Sequence, residues 1–200
     1  MTIGIVYYST YGSTFALAKE IQQGVSDAGQ DAVLRRVEEL MPEDRMDDNA
    51  KSAARSQQDV QLASVDELAE FDGLIIGSPT RFGNRASQMS QFLDQTGPLW
   101  QAGTLAGKPA GFFTGTSSLH GGQETTILTM STYAFHQGMV IVPFGYIHEN
   151  MQTTRTGGTP YGPSHFTPMD GSKTSLDDEE IAIARGYGKH FAEIAAKLKA

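Results

Sequence analysis

The sequence contains no cysteine among its 200 residues. Disulfide frameworks, thiolate metal sites and cysteine nucleophiles are thereby excluded. Long apolar runs are equally absent: none approaches the roughly 20 residues that cross a bilayer. Met1 to Tyr8 enters a strand-like segment directly, without the basic region and apolar stretch of a secretion signal. A cytoplasmic protein with no membrane span is expected. Positive charge is scarce too, with 15 Lys and Arg against 23 Asp and Glu and a formal net charge of −8. That balance disfavours nucleic acid as a partner, because neutralising phosphates takes a dense field of cations. The five histidines, His120, His136, His148, His165 and His190, lack the close pairing of a zinc helix, so no metal site is expected. No Gly-x-Ser-x-Gly elbow accompanies the His120-Gly121-Gly122 turn, which leaves a hydrolase without its nucleophile.

What is present is a globular composition, 39% hydrophobic and 19% charged, sufficient for a single domain over residues 1–200. Five short apolar runs read as buried strands: Ile3 to Tyr8, Ala32 to Val37, Gly73 to Gly77, Pro109 to Thr114 and Met139 to Phe144. Helical periodicity separates them. Leu17, Ile21, Val25 and Ala28 share one face of Ser13 to Ala28, and Ala86, Met89, Phe92 and Leu93 share another before Gly97-Pro98 stops the pattern. A third stretch covers Gln123 to His136, and a fourth, Asp178 to Leu198, carries a broad apolar stripe behind acidic residues suited to a helix start. Strands alternating with crossover helices specify a doubly wound α/β fold, with a five-stranded parallel sheet and helices on both faces. Met41 to Ser64 is polar and reads as a surface excursion with little core. Glu149 to Ser175 holds the turn formers Gly157 to Pro163 and reads as an ordered loop or a subunit contact.

The strongest local signal follows the first strand. Ser9-Thr10-Tyr11-Gly12-Ser13-Thr14 places four small hydroxyls around a glycine just where a helix begins and its first amides point outward. Neither Gly-x-x-x-x-Gly-Lys nor Gly-x-Gly-x-x-Gly is present, and the loop has no Lys or Arg. Neutral donors and a helix dipole suit a terminal monophosphate such as that of flavin mononucleotide (FMN). The plainer alternative is a helix start in which a single hydroxyl caps and the rest are solvated. Two further loops end strands three and four: Ser78-Pro79-Thr80-Arg81-Phe82-Gly83-Asn84, and Thr114 to Gly122. In a parallel sheet all three meet at one edge, where their backbone groups suit the polar rim of an isoalloxazine ring. Arg81 is a candidate for stabilising negative charge that develops there, or else a surface arginine in an ion pair.

The runs Tyr7-Tyr8-Ser9, Gly77 to Asn84, Phe92-Leu93-Asp94-Gln95-Thr96, Gly121-Gly122-Gln123-Glu124 and Gly138 to Pro143 resemble the WrbA-type NAD(P)H:quinone oxidoreductases. Gly157 to Gly162 and Asp170-Gly171-Ser172 are similar too, so the resemblance spans nearly the whole chain. It implies a flavodoxin-like fold and FMN held by Ser9 to Thr14, by Pro79, Thr80, Arg81 and Phe82, and by Gly115, Thr116, Ser117, Ser118, Leu119, His120 and Gly121. It implies a homotetramer in which His136 approaches the flavin of a neighbouring subunit, with Tyr11 and Trp100 lining the pocket for nicotinamide and quinone. The implied reaction is a ping-pong hydride transfer from NADH or NADPH to a quinone, in two electrons. From the residues alone, His136 reads equally as a helix-end or interface residue, Trp100 as core packing and Tyr11 as a rim aromatic. The loop from Thr116 to Gly122 departs from the shorter, glycine-rich run of many relatives. Its His120 is an added ionisable group, either a proton donor to the quinone or a solvated loop residue. The rival function is a flavodoxin-type one-electron carrier, which shares the hydroxyl-rich first loop.

Overall fold

The computed structural model describes residues 1–169, 173 and 175–199. Strand β1 (Thr2–Tyr7) leads through the first loop into helix α1 (Ser13–Asp27), which returns the chain to β2 (Asp31–Arg36). After a short helix α2 (Asp48–Ser56) come β3 (Gly73–Arg81) and the two-residue β4 (Asn84–Arg85), then helices α3 (Ser87–Asp94) and α4 (Gly97–Ala102). Strand β5 (Pro109–Thr116), helix α5 (Gln123–Gln137), β6 (Val140–Ile141), β7 (Ser164–Phe166) and helix α6 (Asp178–Lys199) complete the described elements. The sheet runs β2-β1-β3-β5-β6 with parallel pairing throughout, while β4 folds back antiparallel on the end of β3. This is the doubly wound arrangement read from the sequence.

Pleating explains the two-sided core. Along β1, Ile3, Ile5 and Tyr7 point to one face, where they meet Leu17 and Ile21 of α1 and Tyr187 and Phe191 of α6. Val6 and Tyr8 point to the other and join Leu74, Ile76, Phe112, Met89 and Met130. Each fully buried side chain of this size contributes roughly 1.5–3 kcal/mol. Helices α1 and α6 approach so closely that a Cβ on Gly24 would lie 2.0 Å from the Arg185 carbonyl oxygen, and one on Gly188 2.2 Å from that of Ile21. Only glycine permits that backbone contact.

Three expectations are corrected. The strand expected over Met139 to Phe144 is paired only at Val140–Ile141, with one further bond from the Val142 amide to the Ala110 carbonyl at 2.8 Å. Pro143 then offers no amide to continue the ladder. Its place along β5 is taken by β7, which pairs with Thr114 to Thr116. The excursion from Met41 to Ser64 contains α2, started by Asp47, whose carboxylate accepts the Ala50 amide at 2.8 Å. Ala50 and Ala53 supply its buried face, too small to register as an apolar stripe. Gly97-Pro98 does not only end a helix: it opens α4, where proline suits the first turn.

Candidate active site

The first loop, the ends of β3 and β5, helix α2 and the segment after β7 enclose one open cleft of about 1280 Å³. That exceeds the roughly 300–1,000 Å³ of an ordinary ligand pocket and leaves room for two ligands side by side. It lies at the carboxyl edge of the parallel strands, the usual crevice of such sheets.

The first loop is held open from within. Ser9 Oγ accepts the amides of Gly12 at 3.1 Å and Phe15 at 3.3 Å, so it shapes the loop rather than facing the cleft. Gly12, with φ 88, turns the chain into α1 without any side-chain cap. Consequently the amides of Thr10, Tyr11, Ser13 and Thr14 donate to no described residue. Thr14 Oγ1 is buried beside them and has no partner among the described residues. Unpaired donors converging at a helix start form a ready anion site, and a phosphate monoester satisfies them. The residues present therefore fit the phosphate end of FMN.

A directional chain runs through Thr10. The Glu39 carboxylate can only accept, so Tyr8 donates to it at 2.6 Å; the Tyr8 oxygen then accepts from Thr10 at 3.1 Å. Thr10 Oγ1 in turn accepts from the Arg81 guanidinium at 2.9 Å, while Arg81 also donates to the Thr80 carbonyl at 2.9 Å. The Thr10 hydrogen is committed inward, which removes one of the four hydroxyls from the set available to a phosphate. Burial works to raise the Glu39 pKa, but hydrogen bonds from Tyr8, Gln88 and the Met41 and Leu40 amides hold it below the ordinary carboxylate range. Burial and the bond to Glu39 push the Tyr8 phenol up.

Of the residues singled out in the sequence, Thr10 to Thr14, Pro79, Thr80, Arg81, Gly115, Thr116 and Ser117 line this cleft. Thr80 Oγ1 accepts from Thr126 and from the Gly83 amide, fixing the turn after β3. Tyr11 donates to Asp47 at 3.0 Å, and that bond raises its phenol pKa. Ser118, Leu119, His120 and Gly121 lie off the lining; His120 is exposed with φ 56. Phe82, φ 55, is wholly exposed and also lies off the lining. Trp100 on α4 and His136 on the last turn of α5 are exposed and do not line the cleft. Asp170-Gly171-Ser172 lies outside the described residues. Sequence reasoning missed the α2 wall of Asn49, Ser52 and Ser56, and the wall formed by Thr167 to Met169. Serine at helical spacing, 52 and 56, was the available signal for the first; the second left none.

A family model described as NADPH-dependent FMN reductase matches residues 1–153. A protein of Geobacter sulfurreducens named NAD(P)H dehydrogenase (quinone) is 45% identical, over 99% of this chain and 99% of its own. One of the same name from Geobacter metallireducens is 44% identical over 100% of both chains. This chain belongs to the NAD(P)H dehydrogenase (quinone) family. Among solved structures, the WrbA-like flavodoxin of Agrobacterium tumefaciens is 22% identical with a TM-score of 0.65 over 98% of both chains. Flavodoxin 2 of Bacillus cereus is 18% identical with a TM-score of 0.64, over 97% of this chain and 99% of its own. Both likenesses concern the fold, which is flavodoxin-like. The family resemblance read in the runs around Arg81 and Gly121 is thus borne out along the whole quinone dehydrogenase sequence.

Proposed function

We propose that the protein is an FMN-dependent NAD(P)H:quinone oxidoreductase that reduces quinones to hydroquinones by two electrons. The observation that carries this reading is the set of four unpaired amides and the buried Thr14 hydroxyl at the start of α1, beside a cleft with room for a second ligand. FMN held there would supply the hydride chemistry by which NAD(P)H, a proton and quinone become NAD(P)⁺ and hydroquinone. The first loop holds the phosphate by hydrogen bonds and the helix dipole. Arg81, fixed by Thr10 and the Thr80 carbonyl, brings a guanidinium into the cleft to stabilise negative charge developing there. Among the described residues of one chain, no imidazole or carboxylate lines the cleft. Tyr11 and Met169, both exposed at the rim, supply the apolar surface for a flat second ligand.

The working form in this reading is a single domain per chain, assembled as a cytoplasmic homotetramer. Exposed Trp100, Phe135 and His136 support an interface role, with His136 and Trp100 completing a neighbour's pocket. Among the described residues no helix is long and apolar enough to cross a membrane. The test is an anaerobic titration of the FMN-reconstituted protein with NADH, followed in the visible spectrum, then benzoquinone. Bleaching by NADH and recovery with benzoquinone is the expected result. Bound FMN that NADH does not bleach would replace the enzyme by an electron carrier, and failure to bind FMN would sink both.

A further inference from the structure

The wall of the cleft after β7 carries a donor that the first loop does not account for. Thr167 lines the cleft, yet its Oγ1 is buried and has no hydrogen-bond partner among the described residues. Thr14 Oγ1, at the start of α1, is in the same condition. The two belong to one neighbourhood. A Cβ on Gly115 would lie 3.5 Å from Ser13 Oγ and 3.8 Å from both Thr14 Oγ1 and the His165 carbonyl oxygen, so α1, β5 and β7 converge there. The Thr167 amide donates to the Thr116 carbonyl at 2.9 Å, which ties the residue to the strand end one position beyond Gly115.

The seat is rigid for a reason that lies one layer deeper. Glu180, fully buried at the start of α6, accepts from the Phe166 amide at 3.0 Å and meets His165 Nδ1 at 2.9 Å. Its carboxylate also takes Lys173 Nζ at 2.6 Å and the Asp177 amide at 3.1 Å, while its own amide donates to Asp177 at 2.8 Å in a reciprocal cap. Both residues preceding Thr167 are therefore tied to one buried anion. A hydroxyl held this firmly, buried and unpaired, is a preorganised donor awaiting an acceptor.

Resting on the FMN reading above, we propose that Thr167 is a further cofactor-binding residue, its hydroxyl donating to the phosphate group seated at the start of α1. The site then draws on both ends of the chain: amides from the first loop and a hydroxyl from the segment after β7. A phosphate offers several acceptor oxygens to such convergent neutral donors, and a hydrogen bond to a charged group carries a larger share of affinity than a neutral one.

The test is fluorescence titration of the apoprotein with FMN and, separately, with riboflavin, which lacks the phosphate. Thr167→Val, which removes the hydroxyl at similar volume, is expected to bind FMN about tenfold more weakly, while Thr167→Ser binds it as the unaltered chain does. Riboflavin affinity should be the same in all three proteins. FMN binding by Thr167→Val at full strength overturns the proposal, as does an equal loss for FMN and riboflavin, which would place the hydroxyl on the ring or ribityl chain or make it structural. Thr167→Ala, read in the same way, serves if the valine variant does not fold. Absence of FMN binding by the unaltered chain would instead overturn the oxidoreductase reading, and this inference with it.

Discussion

Glu39 accepts a hydrogen bond from Tyr8 at 2.6 Å, and this contact sets the polarity of the hydroxyl chain that ends on Arg81 in the cleft. An amide at position 39 presents both a donor and an acceptor, so Tyr8 and Thr10 lose their imposed orientation and Arg81 loses a dedicated acceptor. Arg81→Ala is expected to lower the two-electron potential of bound FMN by roughly 30 mV, equivalent to about 1.4 kcal/mol. Glu39→Gln should lower it by a smaller amount in the same direction, and the double variant should resemble Arg81→Ala alone. Spectroelectrochemistry of the three proteins decides this; additive shifts would mean that Glu39 does not act through Arg81.

A second expectation concerns acid. For Glu180, burial opposes ionisation, but hydrogen bonds from His165, Lys173 and the Phe166 amide outweigh it and hold the pKa below the ordinary range. A carboxylate with a depressed folded-state pKa contributes stability that is present above the unfolded value, about 4.3, and is lost as pH falls through the folded one. Glu39 contributes with the same sign. Thermal melts between pH 7 and pH 3 should therefore show stability falling below about pH 4.3. Glu180→Gln should cost about 3 kcal/mol at pH 7 and flatten that acid limb. An unchanged pH slope in the variant would contradict the assignment.

The third prediction uses His120, exposed, off the cleft lining and held at φ 56. The left-handed region costs a non-glycine residue about 1–2 kcal/mol, of which glycine's greater unfolded-state entropy returns about 0.5–1. His120→Gly should raise the melting temperature slightly and His120→Gln should leave quinone turnover within about twofold, too small a change for lost general acid catalysis. A hundredfold fall in kcat for His120→Gln would restore the histidine as a proton donor.

A fourth prediction tests the α1–α6 contact. Gly24→Ala and Gly188→Ala each drive a methyl into a backbone carbonyl, so the helices must separate along their shared face. A loss of about 3 kcal/mol or more is expected for each, at the upper end of overpacking, measured by urea denaturation. A substitution costing under 1 kcal/mol would show that the helices slide apart freely.

The sheet and its long helices were legible because their signals are local. Ile3 to Tyr8, Gly73 to Gly77 and Pro109 to Thr114 are continuous apolar runs, and α1 and α6 repeat apolar residues at helical spacing. The first loop was legible because consecutive residues carry its chemistry. What escaped depends on distant parts of the chain or on small side chains. Helix α2 buries only Ala50 and Ala53, and β7 is three residues set among turn formers. The Tyr8–Glu39 contact joins neighbouring strand ends, and Thr10 was read as a free donor because nothing in its own loop shows where its hydrogen points.

The glycine contact between α1 and α6 also bears on the order in which the protein is made. Helix α1 precedes β7 and α6 in the chain, and so it leaves the ribosome before they do. Until they emerge, α1 has an open side where Arg185 and Gly188 will press, and the loop it carries stands on a half-built seat. A nascent chain thus has the first loop in hand long before the support behind it.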